Sequence, residues 1–112
     1  MAERYRTYEE FWPFYVSQHL NPANRALHLA GTSLVGACLL ASLLLSPAWL
    51  AAAPIAGYGF AWVGHFSFER NRPATFTYPL WSLRGDFRMF RLTLLGRMAP
   101  ELERAAQLAT QA

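Results

Sequence analysis

The sequence predicts an all-α integral membrane protein, a helical hairpin of two transmembrane helices with flanking interfacial amphipathic helices. Composition is the first reason: 54% of the 112 residues are hydrophobic and 15% are charged, against ~45–50% and ~25% in soluble domains. The second reason is a pair of long apolar segments separated by a Ser-Pro turn. Neither a repeat nor a low-complexity linker divides the chain, so we expect a single membrane-embedded helical domain over residues 1–112.

The charge pattern favours a membrane surface as the partner over nucleic acid. The ten basic residues are all arginine, and they outnumber seven acids to give a formal net charge of +3. These arginines flank the apolar segments and do not form a cluster interleaved with aromatics, as a nucleic-acid site would. Cys38 is the only cysteine, so no internal disulfide can form.

The first element is predicted as an interfacial helix at about 8–20. Glu9 and Glu10 suit the positive end of a helix dipole in its first turn. A dense aromatic block follows, made of Phe11, Trp12, Phe14 and Tyr15. Such aromatics beside a membrane span are typical of the headgroup level, where amphipathic rings settle. We therefore expect this block to anchor the helix at the interface, and stacking against a substrate is the alternative.

The first span is predicted at about 27–45, on a helix that begins near Pro22. Asn21 is a suitable N-cap and proline is preset for the first helical turn. Nineteen residues at ~1.5 Å each give roughly 28 Å, close to the ~30 Å hydrocarbon thickness. Small residues recur along it and favour close approach of a second helix; they are Gly31, Ser33, Gly36, Ala37 and Ala41.

The second span is predicted at about 48–66, with a kink at Pro54. His28 lies nineteen residues before Pro47, and His65 lies eighteen residues after it. Two antiparallel helices with this turn would bring both rings to nearly the same depth, at the end opposite the turn.

Arginines predict the orientation of the hairpin. Arg25 precedes the first span, Arg70 and Arg72 follow the second, and the turn at Ser46-Pro47 carries no basic residue. By the positive-inside tendency, both termini face the cytoplasm.

The last long element is predicted as a second interfacial helix at about 80–98. Arg84, Arg88 and Arg91 repeat at intervals of four and three, as one polar face of a helix would. Such a helix lies in the interface with its arginines towards anionic headgroups. The alternative is a soluble amphipathic helix packed on a core.

Three histidines and one carboxylate form a candidate metal site. His65 and Glu69 stand four residues apart on a predicted helix, and His19 and His28 approach the same end of the hairpin. Imidazole and carboxylate suit non-haem iron or zinc and leave coordination positions open. Four polar residues are available to orient the rings; they are Asn24, Asp86, Tyr58 and Tyr78. For any single histidine, a hydrogen-bonded structural role is the alternative.

Other catalytic classes lack their usual sequence motifs. HExxH, CxxC, a Gly-rich phosphate loop and a serine elbow are all missing from the sequence. Zinc protease, redox thiol, nucleotide and hydrolase functions therefore lose their usual support.

Two sequence runs, HLNPANRALHLAGT and GYGFAWVGHFSFERNRPATFTYPLWSLRGDFRM, carry a resemblance over about Phe11 to Met98. The chain resembles a small polytopic membrane family whose endoplasmic-reticulum members are iron-dependent 2-hydroxy fatty acid dioxygenases. The resemblance implies α-oxidation with Fe(II) and dioxygen, which shortens the acid by one carbon. It carries the metal and catalytic roles onto His19, His28, His65 and Glu69. This chain is a shorter, bacterial-like form with two clear spans, for which a bacterial inner membrane is the expected location.

Substrate binding is expected from polar groups beside the histidines. A fatty acyl tail would lie in the bilayer, and its carboxylate would pair with Arg25, Arg70 or Arg72. Asn24 is a further candidate contact, and headgroup anchoring is the alternative role for the arginines. Two other functions stay open, namely a non-catalytic accessory subunit of a larger membrane complex and a protein that binds metal or lipid without turnover. Either a homo-oligomer or a membrane complex is compatible with the small-residue faces.

Overall fold

A computed structural model describes residues 5–111, with side chains described through residue 108. These residues form helices and no strand, as the sequence predicted. The helices are α1 (Tyr8–Ser17), α2 (Pro22–Leu44), α3 (Trp49–Val63), a π-helical segment (Gly64–Glu69), a 3-10 turn (Ala74–Phe76), α4 (Pro79–Leu94) and α5 (Ala99–Gln111). Residues 1–4 and 112 of the predicted domain lie outside the described part.

The chain divides into two compact units. The hairpin unit is residues 21–73, which contain α2, α3 and the π-helical segment. The aromatic unit is made of residues 5–20 and 74–111, with α1, α4, α5 and the 3-10 turn.

In the hairpin unit, α2 begins where the sequence predicted. The Asn21 side chain accepts a hydrogen bond from the Ala23 amide at 2.8 Å, and Pro22 fills the first helical position. The two helices then pack closely: a Cβ added at Gly31 would stand 3.0 Å from Phe60 Cβ and 3.4 Å from the Gly57 carbonyl oxygen. The predicted close approach of small residues is confirmed at this point, because a larger side chain would push α3 away.

Of the described helices, α2 alone is long and apolar enough to cross a membrane. Its 23 residues include an 18-residue window of mean hydropathy 1.8, of which only 17% is buried. The second predicted span, 48–66, is not confirmed. Its α-helix has 15 residues, about 22 Å of rise, and the chain then changes to the π-helical segment.

The aromatic unit has a core built around α1. Phe11 is fully buried, with its ring centroid 5.0 Å from that of Tyr78 and 5.7 Å from that of Trp81. The Trp12 indole donates a hydrogen bond to Glu101 of α5 at 2.6 Å. Burial of rings of this size is worth roughly 1.5–3 kcal/mol each.

This packing corrects the expectation for the aromatic block. Phe11, Trp12 and Tyr15 are 0%, 3% and 2% exposed and lie among α4 and α5 residues of their own unit. The rings are buried because α4 and α5 supply apolar faces to cover them. The sequence of α1 alone gives no sign of those faces.

Candidate metal centre

The rings of His28 and His65 lie together in the hairpin unit. Their centroids are 4.9 Å apart with an interplanar angle of 89°, and the residues are 5% and 3% exposed. His28 stands two turns into α2, and His65 follows the end of α3. The equal depth predicted by counting residues from Pro47 is therefore confirmed.

Each of these two rings is oriented through its Nδ1 atom. Nδ1 of His28 lies 3.0 Å from the Asn24 carbonyl oxygen, and Nδ1 of His65 lies 2.6 Å from Asn71 Oδ1. Since a carbonyl oxygen only accepts, Nδ1 is the protonated nitrogen in both rings. A histidine that donates from Nδ1 coordinates a metal through Nε2.

Local backbone geometry explains how Asn71 reaches His65. The π-helical segment carries His65, and Arg70, directly after the segment, adopts a left-handed conformation with φ 58°. This reverses the chain, so that the Asn71 amide donates to the His65 carbonyl at 3.0 Å while its side chain accepts from the ring. Isolated π-helical turns are frequent at functional sites.

Gly64 is required where the π-helical segment meets α2. A Cβ added there would stand 1.9 Å from Oδ1 of Asn24, whose side chain is fully buried. Only glycine fits this contact, which fixes the start of the segment that carries His65.

His19 is oriented in the same way at the end of α1. Its Nδ1 lies 2.6 Å from the Tyr15 carbonyl oxygen, and its ring stacks on that of Tyr15 with centroids 4.2 Å apart. The residue is 1% exposed. The Tyr15 hydroxyl in turn donates a hydrogen bond to Asp86 of α4.

His19 belongs to the aromatic unit, whereas His28 and His65 belong to the hairpin unit. Only two peptide units join His19 to Asn21, the first residue of the hairpin unit, so their Cα atoms are at most ~7.6 Å apart. His28 and His65 are a pair of buried imidazoles that can contribute to a metal site, and His19 is the candidate third ligand.

Glu69 follows His65 by four residues, and its observed contact is with Asn21 at the start of α2. Its carboxylate accepts a hydrogen bond from the Asn21 amide, and the Asn21 side chain donates to the Phe68 carbonyl at 3.3 Å. The candidate ligand group in the hairpin unit is His28 and His65, and it leaves out Glu69. The carboxylate thus ties the start of α2 to the end of the π-helical segment.

The residues proposed for substrate binding differ in exposure. Arg70 and Arg72 are exposed, Arg25 is half-buried and Asn24 is fully buried. The backbone carbonyl of Asn24 accepts a hydrogen bond from His28 Nδ1, and the Asn24 side chain packs against Gly64.

Of the four residues predicted to orient the rings, two contact other groups. Tyr58 packs against Trp62 at 5.8 Å, and the Tyr78 hydroxyl accepts from the Tyr5 amide at 2.9 Å. Asp86 acts on His19 only through Tyr15.

Sequence reasoning missed two residues that orient the histidines, Asn71 and Tyr15. Asn71 reaches its ring through a left-handed arginine, a conformation no sequence motif marks. Tyr15 stood four residues before His19, the spacing at which helical side chains meet, but it was assigned to interfacial anchoring.

Electrostatics distinguish Asp86 from an ordinary surface carboxylate. Burial raises its pKa from 3.8 to about 7, although the hydrogen bond from Tyr15 acts in the opposite direction. Burial and the neighbouring Asp86 charge also raise the pKa of Tyr15. The tyrosine hydroxyl therefore stays protonated and donating at neutral pH.

The donor set fits a divalent transition metal. Neutral imidazoles are common ligands of Fe, Zn, Cu and Ni, and all three rings show the Nδ1 hydrogen bond that accompanies metal-bound histidine. The fold and these residues define an all-helical protein with buried histidines whose rings are oriented as metal ligands are. The chain belongs to the Mpo1-like family, described as 2-hydroxy-palmitic acid dioxygenase Mpo1-like, whose profile matches residues 5–98. No curated protein matches the chain. No solved structure matches it either.

Proposed function

We propose that this protein is a non-haem Fe(II) dioxygenase that shortens 2-hydroxy fatty acids by one carbon. The observation that carries the proposal is the pair of buried histidines, His28 and His65, whose ring centroids are 4.9 Å apart and whose rings are each oriented through Nδ1. His19, which is buried and oriented in the same way, is the proposed third ligand. The family description supplies the reaction class and the 2-hydroxy acid substrate.

His19, His28 and His65 would hold the iron through Nε2. When bound, Fe(II) supplies the one-electron chemistry that lets dioxygen react with a closed-shell organic acid. Three protein ligands leave coordination positions for oxygen and substrate. The protein's own part is to hold three neutral rings in place and to exclude bulk water, for which their burial is suited.

The overall reaction balances with one dioxygen. A 2-hydroxy acid R–CH(OH)–COOH and O₂ give R–COOH, CO₂ and H₂O. The bond between C1 and C2 breaks, the carboxyl carbon leaves as carbon dioxide, and C2 becomes the new carboxyl. No external reductant is needed, because the substrate supplies all four electrons.

The hairpin unit suits a substrate with a long apolar tail. Leu43 and Ile55 are 84% and 75% exposed, on α2 and α3 respectively. Surfaces this apolar are unfavourable in water and mark membrane or lipid contact. We propose that both helices lie in the bilayer with the tail along them, in a bacterial inner membrane with cytoplasmic termini.

The substrate carboxylate would meet cations at the histidine end of the hairpin. Arg25 lies one turn before His28, and Arg70 and Arg72 follow the π-helical segment. An arginine fork pairs with a carboxylate through two parallel hydrogen bonds. The Asn24 side chain is buried against Gly64. We propose that Asn24 acts on the substrate indirectly, because its backbone carbonyl orients His28.

Oxygen uptake by the iron-loaded protein with 2-hydroxypalmitic acid tests the proposal. We expect one O₂ consumed per acid and a fifteen-carbon product by mass spectrometry. His65→Ala should lose both iron and turnover, whereas Ser33→Ala, which alters an exposed hydroxyl bonded only to the Leu29 carbonyl, should keep both. A His65→Ala protein that retains full activity would overturn the proposal.

The same preparation separates the two rival functions. A docking subunit of a larger complex has no need of stoichiometric metal, so metal analysis near zero after loading would favour it. A protein that binds metal or lipid without turnover would hold iron but consume no oxygen with the acid.

A further inference from the structure

A polar cavity lies in the aromatic unit. Arg84, Arg88 and Arg91 of α4 line it together with Phe87 and with Tyr8 of α1, and its volume is about 690 Å³. We call it the arginine cavity. The three arginines stand four and three residues apart, so they share one face of the helix.

Two of the guanidinium groups are held on aromatic rings. Arg84 Cζ lies 3.9 Å from the Tyr8 ring centroid, and Arg88 Cζ lies 4.2 Å from the Trp12 ring. Both rings are buried, at 5% and 3% exposure, and are therefore fixed supports. Cation–π contact keeps these charges in place at the wall of the cavity.

No acid balances these charges in the part of the chain whose side chains are described. The ion pair between Arg104 and Glu101, at 3.8 Å, leaves out the arginine cavity. Asp86, on the same helix, accepts its hydrogen bond from Tyr15. Like charges one turn apart repel, so the arrangement favours an anion from outside the chain.

Tyr8 adds a polar atom that also lacks an acceptor. Its hydroxyl is buried and forms no hydrogen bond within the described residues. A buried donor without an acceptor is unfavourable. Tyr8 lines the arginine cavity, so an oxygen-rich ligand bound there is a candidate acceptor for this hydroxyl.

We propose that the arginine cavity binds the phosphate of an anionic phospholipid headgroup. Guanidinium forks match phosphate oxygens, and the volume lies in the range of small-ligand sites. A lipid is favoured over a free phosphate because apolar side chains border the arginines on α4. Leu80, Leu83 and Phe87 are 79%, 44% and 46% exposed, as expected of a helix in the headgroup layer.

This site is distinct from the proposed iron centre. Tyr8 precedes His19 by eleven residues, most of them in α1, which corresponds to roughly 16 Å along a helix. A carboxylate held by the arginine cavity cannot also place its own C2 at the histidines. The proposal is therefore independent of the proposed function, and either one can fail alone.

Calorimetric titration of the full chain in a neutral detergent tests whether the arginine cavity binds an anionic phospholipid. The probes are dihexanoyl phosphatidylglycerol, dihexanoyl phosphatidylcholine and inorganic phosphate. We expect saturable binding of phosphatidylglycerol and at least tenfold weaker binding of the other two. Choline brings a cation towards the arginines, and inorganic phosphate lacks the acyl chains.

Two arginine substitutions locate the binding. Arg88→Gln should weaken phosphatidylglycerol binding about tenfold, whereas Arg97→Gln, an exposed arginine outside the arginine cavity, should leave it unchanged. Helix content by circular dichroism checks that both variants fold.

Three results would each overturn the proposal. Equal affinity for phosphatidylcholine would show that anionic charge is not recognised, and equal affinity for inorganic phosphate would identify a free ion as the ligand. Equal weakening by Arg88→Gln and Arg97→Gln would show general surface attraction.

Discussion

The hydroxyl of Tyr15 donates a hydrogen bond to the carboxylate of Asp86 and so fixes the aromatic ring against which His19 stacks. The same tyrosine accepts the Nδ1 proton of His19 with its backbone carbonyl at 2.6 Å. Tyr15 thus holds the histidine at two points, and Asp86 holds Tyr15. The Asp86 carboxylate on α4 therefore helps to position His19, a proposed metal ligand, through Tyr15.

Loss of the Tyr15 hydroxyl should weaken metal binding without abolishing it. Tyr15→Phe keeps the ring stack and the backbone hydrogen bond but loses the bond to Asp86. Outer partners of metal-bound histidine typically contribute 10–100-fold in affinity, so for this more remote bond we expect about tenfold. Cobalt(II) titration, followed by its visible absorption, measures the change.

Tyr58→Phe is the matched control for that substitution. Tyr58 is 37% exposed and packs on Trp62, so its hydroxyl should not affect cobalt affinity. Equal affinities in Tyr15→Phe and the wild type would show that the bond to Asp86 has no part in placing His19.

Asp86 should make stability depend on pH. Its pKa is raised from 3.8 to about 7 by burial, so the folded state favours the protonated form. The stabilisation is complete below pH ~3.8 and is lost as the pH rises towards 7. Tyr15, which faces Asp86 from α1, remains protonated throughout because its own pKa is raised.

Thermal unfolding between pH 4 and pH 8 tests this dependence against Asp86→Asn, which cannot titrate. The stability of the wild type should decline relative to the variant from pH 4 to 7 and then run parallel to it. Parallel curves over the whole range would contradict the prediction.

Gly64→Ala should destabilise the hairpin unit. The new methyl group would stand 1.9 Å from Asn24 Oδ1, and that side chain is fully buried and has little room to move. Overpacking of this kind costs about 1–3 kcal/mol, and it should also displace His65, the next residue. Denaturant unfolding and cobalt affinity report the two effects separately.

Gly59→Ala on α3 provides the comparison, since a Cβ there meets nothing within 4 Å. It should be neutral or slightly stabilising, because alanine favours helix more than glycine does. If both variants unfold at the same denaturant concentration, the contact between Gly64 and Asn24 is not a constraint on the fold.

Glu69 can be tested for the ligand role that the sequence predicted. Glu69→Gln removes the charge but keeps an oxygen that can accept from the Asn21 amide, whereas Glu69→Ala removes both. Because that amide is the observed contact, we expect Gln to retain metal stoichiometry and Ala to reduce affinity about tenfold. Loss of metal in both variants would instead support direct coordination by Glu69.

Features set by local chemistry were predicted correctly from the sequence. The cap at Asn21 and the proline after it act within one turn, so their residue types are enough to place the start of α2. The pairing of His28 with His65 follows from counting residues on either side of Pro47, because the rise of a helix is constant.

Features set by tertiary contact were not predictable in this way. The change from α3 to the π-helical segment occurs at Gly64, where Asn24 from another helix occupies the space of a side chain. Burial of Phe11 and Trp12 depends on faces supplied some seventy residues later in the chain. In each case the deciding neighbour is remote in sequence.

The hydrogen bonds donated by Nδ1 of His19, His28 and His65 also affect which metal the isolated protein contains. Rings that are already oriented give up little freedom on binding, so any divalent ion of suitable size is accepted readily. For nitrogen ligands, Zn²⁺ and Cu²⁺ bind more tightly than Fe²⁺. Iron would therefore occupy this centre through its supply in the cell, and protein purified in ordinary buffers would tend to collect zinc.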